Sequence, residues 1–235
     1  RAFFGMRYNR PSSRMLGGLG ALATLIGLLM AMVSGIKVAT EFSVDASHLQ
    51  TVNMPESVKT WKLSMADIML KDPDFSLGRV RIDGENLDEW DESDLNDSFP
   101  SWWYIKDNRA FFNNVEVDVR PARQGQASLT VRRYASGSSR REASYRANRI
   151  DYDLTVSDSG EIVVNNMLDF PTSDRQRGQS VEVVLYLPVG HRVSFDVSLE
   201  NYLYDVDNVA NMYDDEMLGR TWIMMPEGLT EVKAY

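Results

Sequence analysis

The chain contains no cysteine, which excludes disulfides and thiolate chemistry and leaves any exported domain to be held together by packing alone. It has two histidines, His48 and His191, and they sit in no metal-ligand spacing. His191 follows the turn Pro188-Val189-Gly190 and is expected to be exposed. The G-x-S-x-G, H-E-x-x-H and P-loop patterns are absent, so no catalytic residue, metal or cofactor is implied. Acidic residues are missing from the start of the chain. Arg1, Arg7, Arg10, Arg14 and Lys37 all precede the first acid, Glu41. The whole chain has 25 Lys plus Arg against 34 Asp plus Glu, so the part beyond residue 38 has 20 basic and 34 acidic residues, a net charge of −14. That sign excludes binding nucleic acid through charge, because phosphate needs the opposite one.

What is present first is a run of 22 uncharged residues, 15–36, closed by Arg14 and Lys37. As a helix it measures ~33 Å at ~1.5 Å per residue, enough to cross a hydrocarbon core of ~30 Å. A cleaved signal peptide is the competing reading. Its apolar core would span only ~7–15 residues, and no small-x-small cleavage site follows here. Basic flanks stay cytoplasmic, so the N-terminus is expected inside and the bulk of the chain outside. The chain opens on Arg1 and not on Met, which we read as a missing upstream segment. Ala23, Gly27, Ala31 and Gly35 recur every four residues on one helical face. Small residues so placed form a packing seam against a second copy or another membrane helix, although membrane helices are rich in Gly and Ala in any case.

The remainder divides as follows. Residues 1–14 form a basic cytoplasmic tail whose Phe3, Phe4, Met6 and Tyr8 suit the membrane boundary. Residues 37–60 read as a connector, and 61–235 as an extracytoplasmic β-rich domain, with ample length for a core of its own. Residues 61–78 show no clean period. From residue 110 apolar residues alternate: Val115, Val117 and Val119; Leu129 and Val131; Leu154 and Val156; Val181, Val183, Leu185 and Leu187; Val193, Phe195, Val197 and Leu199. Period two marks strands with one buried face. The breaks Ser157-Asp158-Ser159-Gly160 and Pro188-Val189-Gly190 are turn chemistry. No long helices separate the strands, so a stacked, solenoid-like or sandwich-like all-β domain is expected in place of a parallel α/β sheet. Ser139-Arg140-Arg141-Glu142 reads as a capping box opening a short helix over about 139–149, with Ala143, Ala147 and Ile150 on the buried face. Trp222-Ile223-Met224-Met225 reads as the final core strand.

Four constellations are candidates for chemistry. Asp83, Glu85, Asp88, Glu89, Asp91, Glu92, Asp94 and Asp97 form an acidic run, but EF-hand spacing is absent, so a solvated loop is expected over a calcium site. Arg120, Arg123, Arg132, Arg133, Arg140, Arg141, Arg146 and Arg149 face only Glu142 in sequence. They would bind lipid headgroups or anionic glycans, but pairing within the domain is the favoured expectation. Asp158-Ser159-Gly160 matches the aspartic-protease triplet once, and a hairpin turn explains it better. Trp102-Trp103-Tyr104 offers a carbohydrate platform, though buried anchoring of an irregular segment is commoner. Asn96-Asp97-Ser98 is formally a glycosylation sequon.

Several stretches together resemble the phage-shock-protein C (PspC) family. Gly35-Ile36-Lys37-Val38-Ala39-Thr40-Glu41-Phe42-Ser43 looks like the exit of the last membrane helix in members of the Bacteroidota type. Ser138-Ser139-Arg140-Arg141-Glu142-Ala143 leading to Asn148-Arg149-Ile150-Asp151-Tyr152 is similar to that family's exterior domain. So are Val183-Val184-Leu185-Tyr186-Leu187-Pro188-Val189-Gly190 and Trp222-Ile223-Met224-Met225-Pro226-Glu227-Gly228-Leu229. The resemblance implies a β-stacked "toast-rack" domain outside the bacterial inner membrane, an upstream PspC domain, and a part in envelope-stress response. It carries no catalytic residues. The function expected is a membrane-anchored, non-enzymatic sensory or interaction domain. Its expected partners are the lipid bilayer, a membrane helix or second copy, and an envelope ligand met through residues such as Trp102, Trp103, Arg140 and Arg141. An adhesin-like module binding polysaccharide through the tryptophans is the alternative, and an exported hydrolase the weakest reading.

Overall fold

A computed structural model describes residues 12–52, 54–66, 103–123 and 125–233. The acidic run over 83–97, the sequon and Trp102 lie outside the described residues, as do residues 1–11. The side chains of Trp103 and Tyr104 do so too.

The apolar run forms one helix, α1 (Ser12–Glu41), and its Leu19–Glu41 portion is long and apolar enough to cross a membrane. Residues 19–40 are exposed along its length. Two turn-like bonds end it, from Phe42 N–H to Ala39 O and from Ser43 N–H to Thr40 O. The domain begins at once, with β1 (Val44–Val52).

The remaining elements are β2 (Thr60–Ala66), β3 (Trp103–Lys106), β4 (Arg109–Phe112), β5 (Val115–Pro121), β6 (Ser128–Gly137), α2 (Arg140–Ala147), β7 (Leu154–Val156), β8 (Glu161–Asn165), β9 (Leu168–Pro171), β10 (Ser180–Leu187), β11 (Arg192–Phe195), β12 (Thr221–Met225) and β13 (Gly228–Glu231). They build three sheets, in the orders β1-β6-β10-β5, β13-β12-β11-β2-β8-β7 and β3-β4-β9. Trp61, Leu63, Val117, Leu129, Ile162, Phe170, Val183, Leu185, Phe195 and Trp222 draw residues from all three sheets into one core. The alternating residues of β5, β6 and β10 are buried as their period predicts.

Several expectations need correction. The segment read as a connector supplies β1, which pairs antiparallel along the length of β6 from Val44↔Gly137 to Val52↔Leu129. Only Ala46 of β1 is buried. An edge strand held by backbone bonds has no apolar row to announce it. The alternation of Val193 and Phe195 does not continue through Val197 and Leu199. Asp196 accepts a bond from Ser198 N–H, the chain turns into a 3-10 turn over Val197–Leu199, and Val197 is 67% exposed while Leu199 stays buried. The strand over Trp222–Met225 is not the last, because β13 returns antiparallel beside it. The domain is all-β as expected, yet β10–β5, β11–β2 and β2–β8 pair parallel. The turn at Pro188-Val189-Gly190 passes the chain from one sheet to another, so parallel neighbours arise without α/β crossovers.

Helix α2 forms where its cap predicts. Ser139 Oγ accepts from Glu142 N–H, while the Glu142 carboxylate bonds back to Ser138 N–H, one residue earlier than the ideal box. Ala143, Ala147 and Ile150 are buried on the expected face. The helix lies so close to β6 that a Cβ on Gly137 would stand 2.6 Å from Ala143 N.

Candidate functional site

The tightest arrangement of charge linking separate parts of the chain is the junction between α1 and the domain. Glu41 closes a helix whose last turn holds no basic residue, so its carboxylate lies at the negative end of the helix dipole. Arg177, from the loop between β9 and β10, supplies the missing cation. Its Nε donates to Glu41 Oε2 at 2.6 Å and its Nη2 donates to the same oxygen. The guanidinium also lies over the Phe42 ring, 5.2 Å from the centroid.

The loop that presents Arg177 is itself pinned. Buried Gln179 accepts from Arg177 N–H at 2.6 Å through Oε1 and donates to Arg175 O at 2.7 Å through Nε2. Ser136 N–H donates to Arg177 O at 2.7 Å, and Ser136 Oγ donates to Asp45 Oδ1 at 2.7 Å. The end of α1, the start of β1, the end of β6 and the β9–β10 loop are therefore one hydrogen-bonded unit.

Helix α2 joins this unit. Arg146 donates to Ser136 O at 2.9 Å and to Glu142 Oε1 at 2.6 Å. Arg149 donates to buried Asp174 at 2.8 Å and stacks over Tyr145. Hydrogen bonds from Ser138 hold the Glu142 carboxyl below its ordinary range, with Arg146 and Arg177 adding to the effect.

The arginine concentration divides accordingly. Arg120 pairs with Asp118 and Glu182, and Arg132 with Glu182 and Tyr134, on the outer face of the first sheet. Desolvation pushes the Asp118 carboxyl up despite Arg120. Arg133 is buried, and among the described residues its guanidinium reaches only Tyr152 O, at 3.4 Å. Pairing within the domain thus accounts for Arg120, Arg132, Arg146 and Arg149. Arg123, Arg140 and Arg141 are exposed and have no ion-pair partner among the described residues.

The other candidates fall elsewhere. Asp158 occupies the β7–β8 hairpin turn, with Gly160 at φ +91° and Ser157 Oγ accepting from Glu161 N–H. His48 is exposed on β1. His191 is half-buried and not exposed: burial and Lys59 depress its pKa, and its Nδ1 has no partner among the described residues. It follows a tight turn that folds back against Lys59, whose carbonyl accepts from Arg192 N–H, so the ring is partly enclosed. Among the described residues no group of three or more His, Asp or Glu is arranged to hold a metal. Ala23, Gly27, Ala31 and Gly35 lie on the exposed length of α1, with open space at the Cβ positions of Gly27 and Gly35.

Glu41, Phe42, Ser136, Asp174, Arg177 and Gln179 were not singled out in the sequence. One signal was available: an acid ending an apolar helix with no cation in the same turn calls for a partner from elsewhere.

The model of the toast-rack domain found in some PspC proteins matches residues 105–231, more than half of the chain. Comparison of the chain with the curated proteins and with the solved structures found no match. The matched stretch covers the strands from β4 to β13 together with α2 and Arg177, with one apolar helix ahead of it in the chain. The chain belongs to the family of toast-rack domains found in PspC proteins.

Proposed function

We propose that this chain is the membrane-anchored, non-enzymatic sensory or interaction part of a PspC-like envelope-stress protein. It sits in the bacterial cytoplasmic membrane with its N-terminus inside and its toast-rack domain outside. The observation that carries this reading is the Arg177–Glu41 bond, which fastens a toast-rack domain to the end of an apolar helix with only two residues before β1. A ligand or partner that alters the packing of the β9–β10 loop would shift the helix, because loop and helix share one hydrogen-bonded unit. Such a ligand acts only through a difference in affinity between two states of the junction. The stripe Ala23, Gly27, Ala31 and Gly35 is the face on which a second membrane helix would be read.

The test is made in spheroplasts. An outward-facing protease should remove the domain and leave a short basic fragment that alkaline carbonate does not extract. A protected domain, or release of the intact chain by carbonate, refutes the topology. For signalling, Arg177→Met in the full-length protein should blunt an envelope-stress reporter without lowering the amount of protein. A reporter that responds as in the wild type refutes the coupling. Glycan binding lost on Trp102→Ala would favour the adhesin instead.

A further inference from the structure

The domain is acidic as a whole, but the first turn of α2, near the end from which α1 departs, carries the exposed pair Arg140 and Arg141. We propose that Arg140 and Arg141, together with Lys37, hold the phosphate headgroups of anionic lipids in the leaflet that α1 leaves. This rests on the membrane anchoring proposed above.

Height is the first argument. The apolar run ends at Ile36, and Lys37 to Glu41 continue the helix by roughly 7.5 Å at ~1.5 Å per residue. A headgroup layer is about 5–7 Å deep on each side of the hydrocarbon. Glu41 therefore stands at the outer limit of that layer. Val44 pairs with Gly137, and Arg140 follows three residues later, so the first turn of α2 begins beside the membrane surface. Long basic side chains reach down from such a position while their stems stay along the protein.

Pairing is the second argument. Four acids at this end are engaged within the protein, Glu41 by Arg177, Asp45 by Ser136, Glu142 by Ser138 and Arg146, and Asp174 by Arg149, whereas Glu116, beside Glu182 at the start of β5, has no ion-pair partner among the described residues. Arg140 and Arg141 are exposed and have no ion-pair partner among the described residues. Arg123, the other exposed member of the run without an ion pair among the described residues, lies past the far end of β5, since β5 runs parallel to β10 and starts at the Ser180 end.

The third argument is electrostatic. Arg140 and Arg141 occupy the first two positions of α2, where the helix dipole disfavours cations. Ser139 and Glu142 already occupy the capping role there, so the arginines contribute nothing to the helix start. An anionic layer in front of them would offset that repulsion. It would also orient the acidic remainder of the domain away from the bilayer.

The absence of native cysteine allows a direct test on the full chain. Ser144 is exposed on α2, and Ser144→Cys carries a fluorophore there. The chain is reconstituted in phosphatidylcholine vesicles containing equal fractions of brominated phosphatidylglycerol or brominated phosphatidylcholine. Phosphatidylglycerol should be favoured as quencher at ~0.1 M salt, by about five-fold for each arginine engaged. The preference should fall to the roughly five-fold that Lys37 supports by itself in Arg140→Gln/Arg141→Gln, and to near one in ~1 M salt. Circular dichroism should show the double variant folded, since glutamine is a good helix former.

Equal quenching by the two lipids, or a preference undiminished by the double substitution, overturns the proposal. So does tighter capture of a soluble anionic polysaccharide than of vesicle headgroups, which would assign the arginines to a glycan. If carbonate releases the wild-type chain, the anchoring itself is wrong. If the chain is retained and shows no lipid preference, this inference alone is wrong.

Discussion

Removing the Arg177 guanidinium should loosen the seam between helix and domain while leaving the domain core intact. In Arg177→Met the side chain keeps its apolar stem and loses the bonds to Glu41 and the contact with Phe42. The side chains of Arg177 and Glu41 are 15% and 33% exposed. Their pair therefore falls between exposed ion pairs, worth roughly 0.2–1 kcal/mol, and buried charge-assisted bonds, worth about 1.5–3 kcal/mol. About 1 kcal/mol is a fair value for the pair, and the Phe42 contact adds roughly 0.5 kcal/mol. Local opening at the junction should become easier by ~1–2 kcal/mol, which speeds exchange of the Phe42 and Ser43 amides about 5–30-fold. Glu41→Gln should cost less, because the amide still accepts a bond and an unfavourable charge leaves the helix end. Hydrogen–deuterium exchange by mass spectrometry on the full chain in lipid bilayers measures both. In a double-mutant cycle the two effects should fall short of additive by ~1 kcal/mol. Strict additivity, or unchanged exchange in Arg177→Met, would refute the claim that this bond joins the two parts.

Three further perturbations probe the fold. Gly137→Ala places a methyl 2.6 Å from Ala143 N and 3.1 Å from its Cα, so α2 must lift from β6. The expected loss is about 1–3 kcal/mol, seen as a lower thermal midpoint, and an unchanged midpoint contradicts the close approach. Trp61 and Trp222 are both fully buried, but only Trp222 Nε1 has a partner among the described residues, Met217 O at 3.1 Å. Trp222→Phe should therefore cost about 1 kcal/mol more than Trp61→Phe in denaturant titrations, and the reverse order would sink the argument. Burial, reinforced by Glu182, pushes the Glu116 carboxyl above its ordinary value. The folded state then holds this proton more tightly than the unfolded state. Ionisation weakens the fold at neutral pH, and the penalty disappears as pH falls below the unfolded pKa of about 4.3. Glu116→Gln should be more stable than the wild type at pH 7, with the gap closing below pH ~4. A gap that stays constant with pH would show that charge is not its cause.

The apolar run, the all-β class and α2 were legible because each is written in local periodicity. Twenty-two uncharged residues, alternating valines and leucines, and Ser139 three residues before Glu142 are patterns that act within one element. The continuation of that alternation through Val197 and Leu199 misled, because Asp196 competes for the backbone and turns the chain. Strand β1 was missed because its partner is a backbone more than 75 residues away in sequence and its own side chains face water.

The candidate site divides along the same line. The arginine run was visible as composition, and pairing was the favoured outcome. Which arginines pair was decided by sheet register, which sets Glu182 beside Arg132, and by the docking of α2, which carries Arg149 to Asp174. Arg177 and Glu41, 136 residues apart, gave no joint signal at all. The sequence by itself determined that an apolar helix precedes an acidic, cysteine-free, strand-rich domain, since hydropathy and period are properties of neighbouring residues. Only the tertiary structure decided which charges pair inside the domain and which, Arg140 and Arg141 among them, have no ion-pair partner among the described residues, because ion pairing depends on distances that strand register and helix docking create.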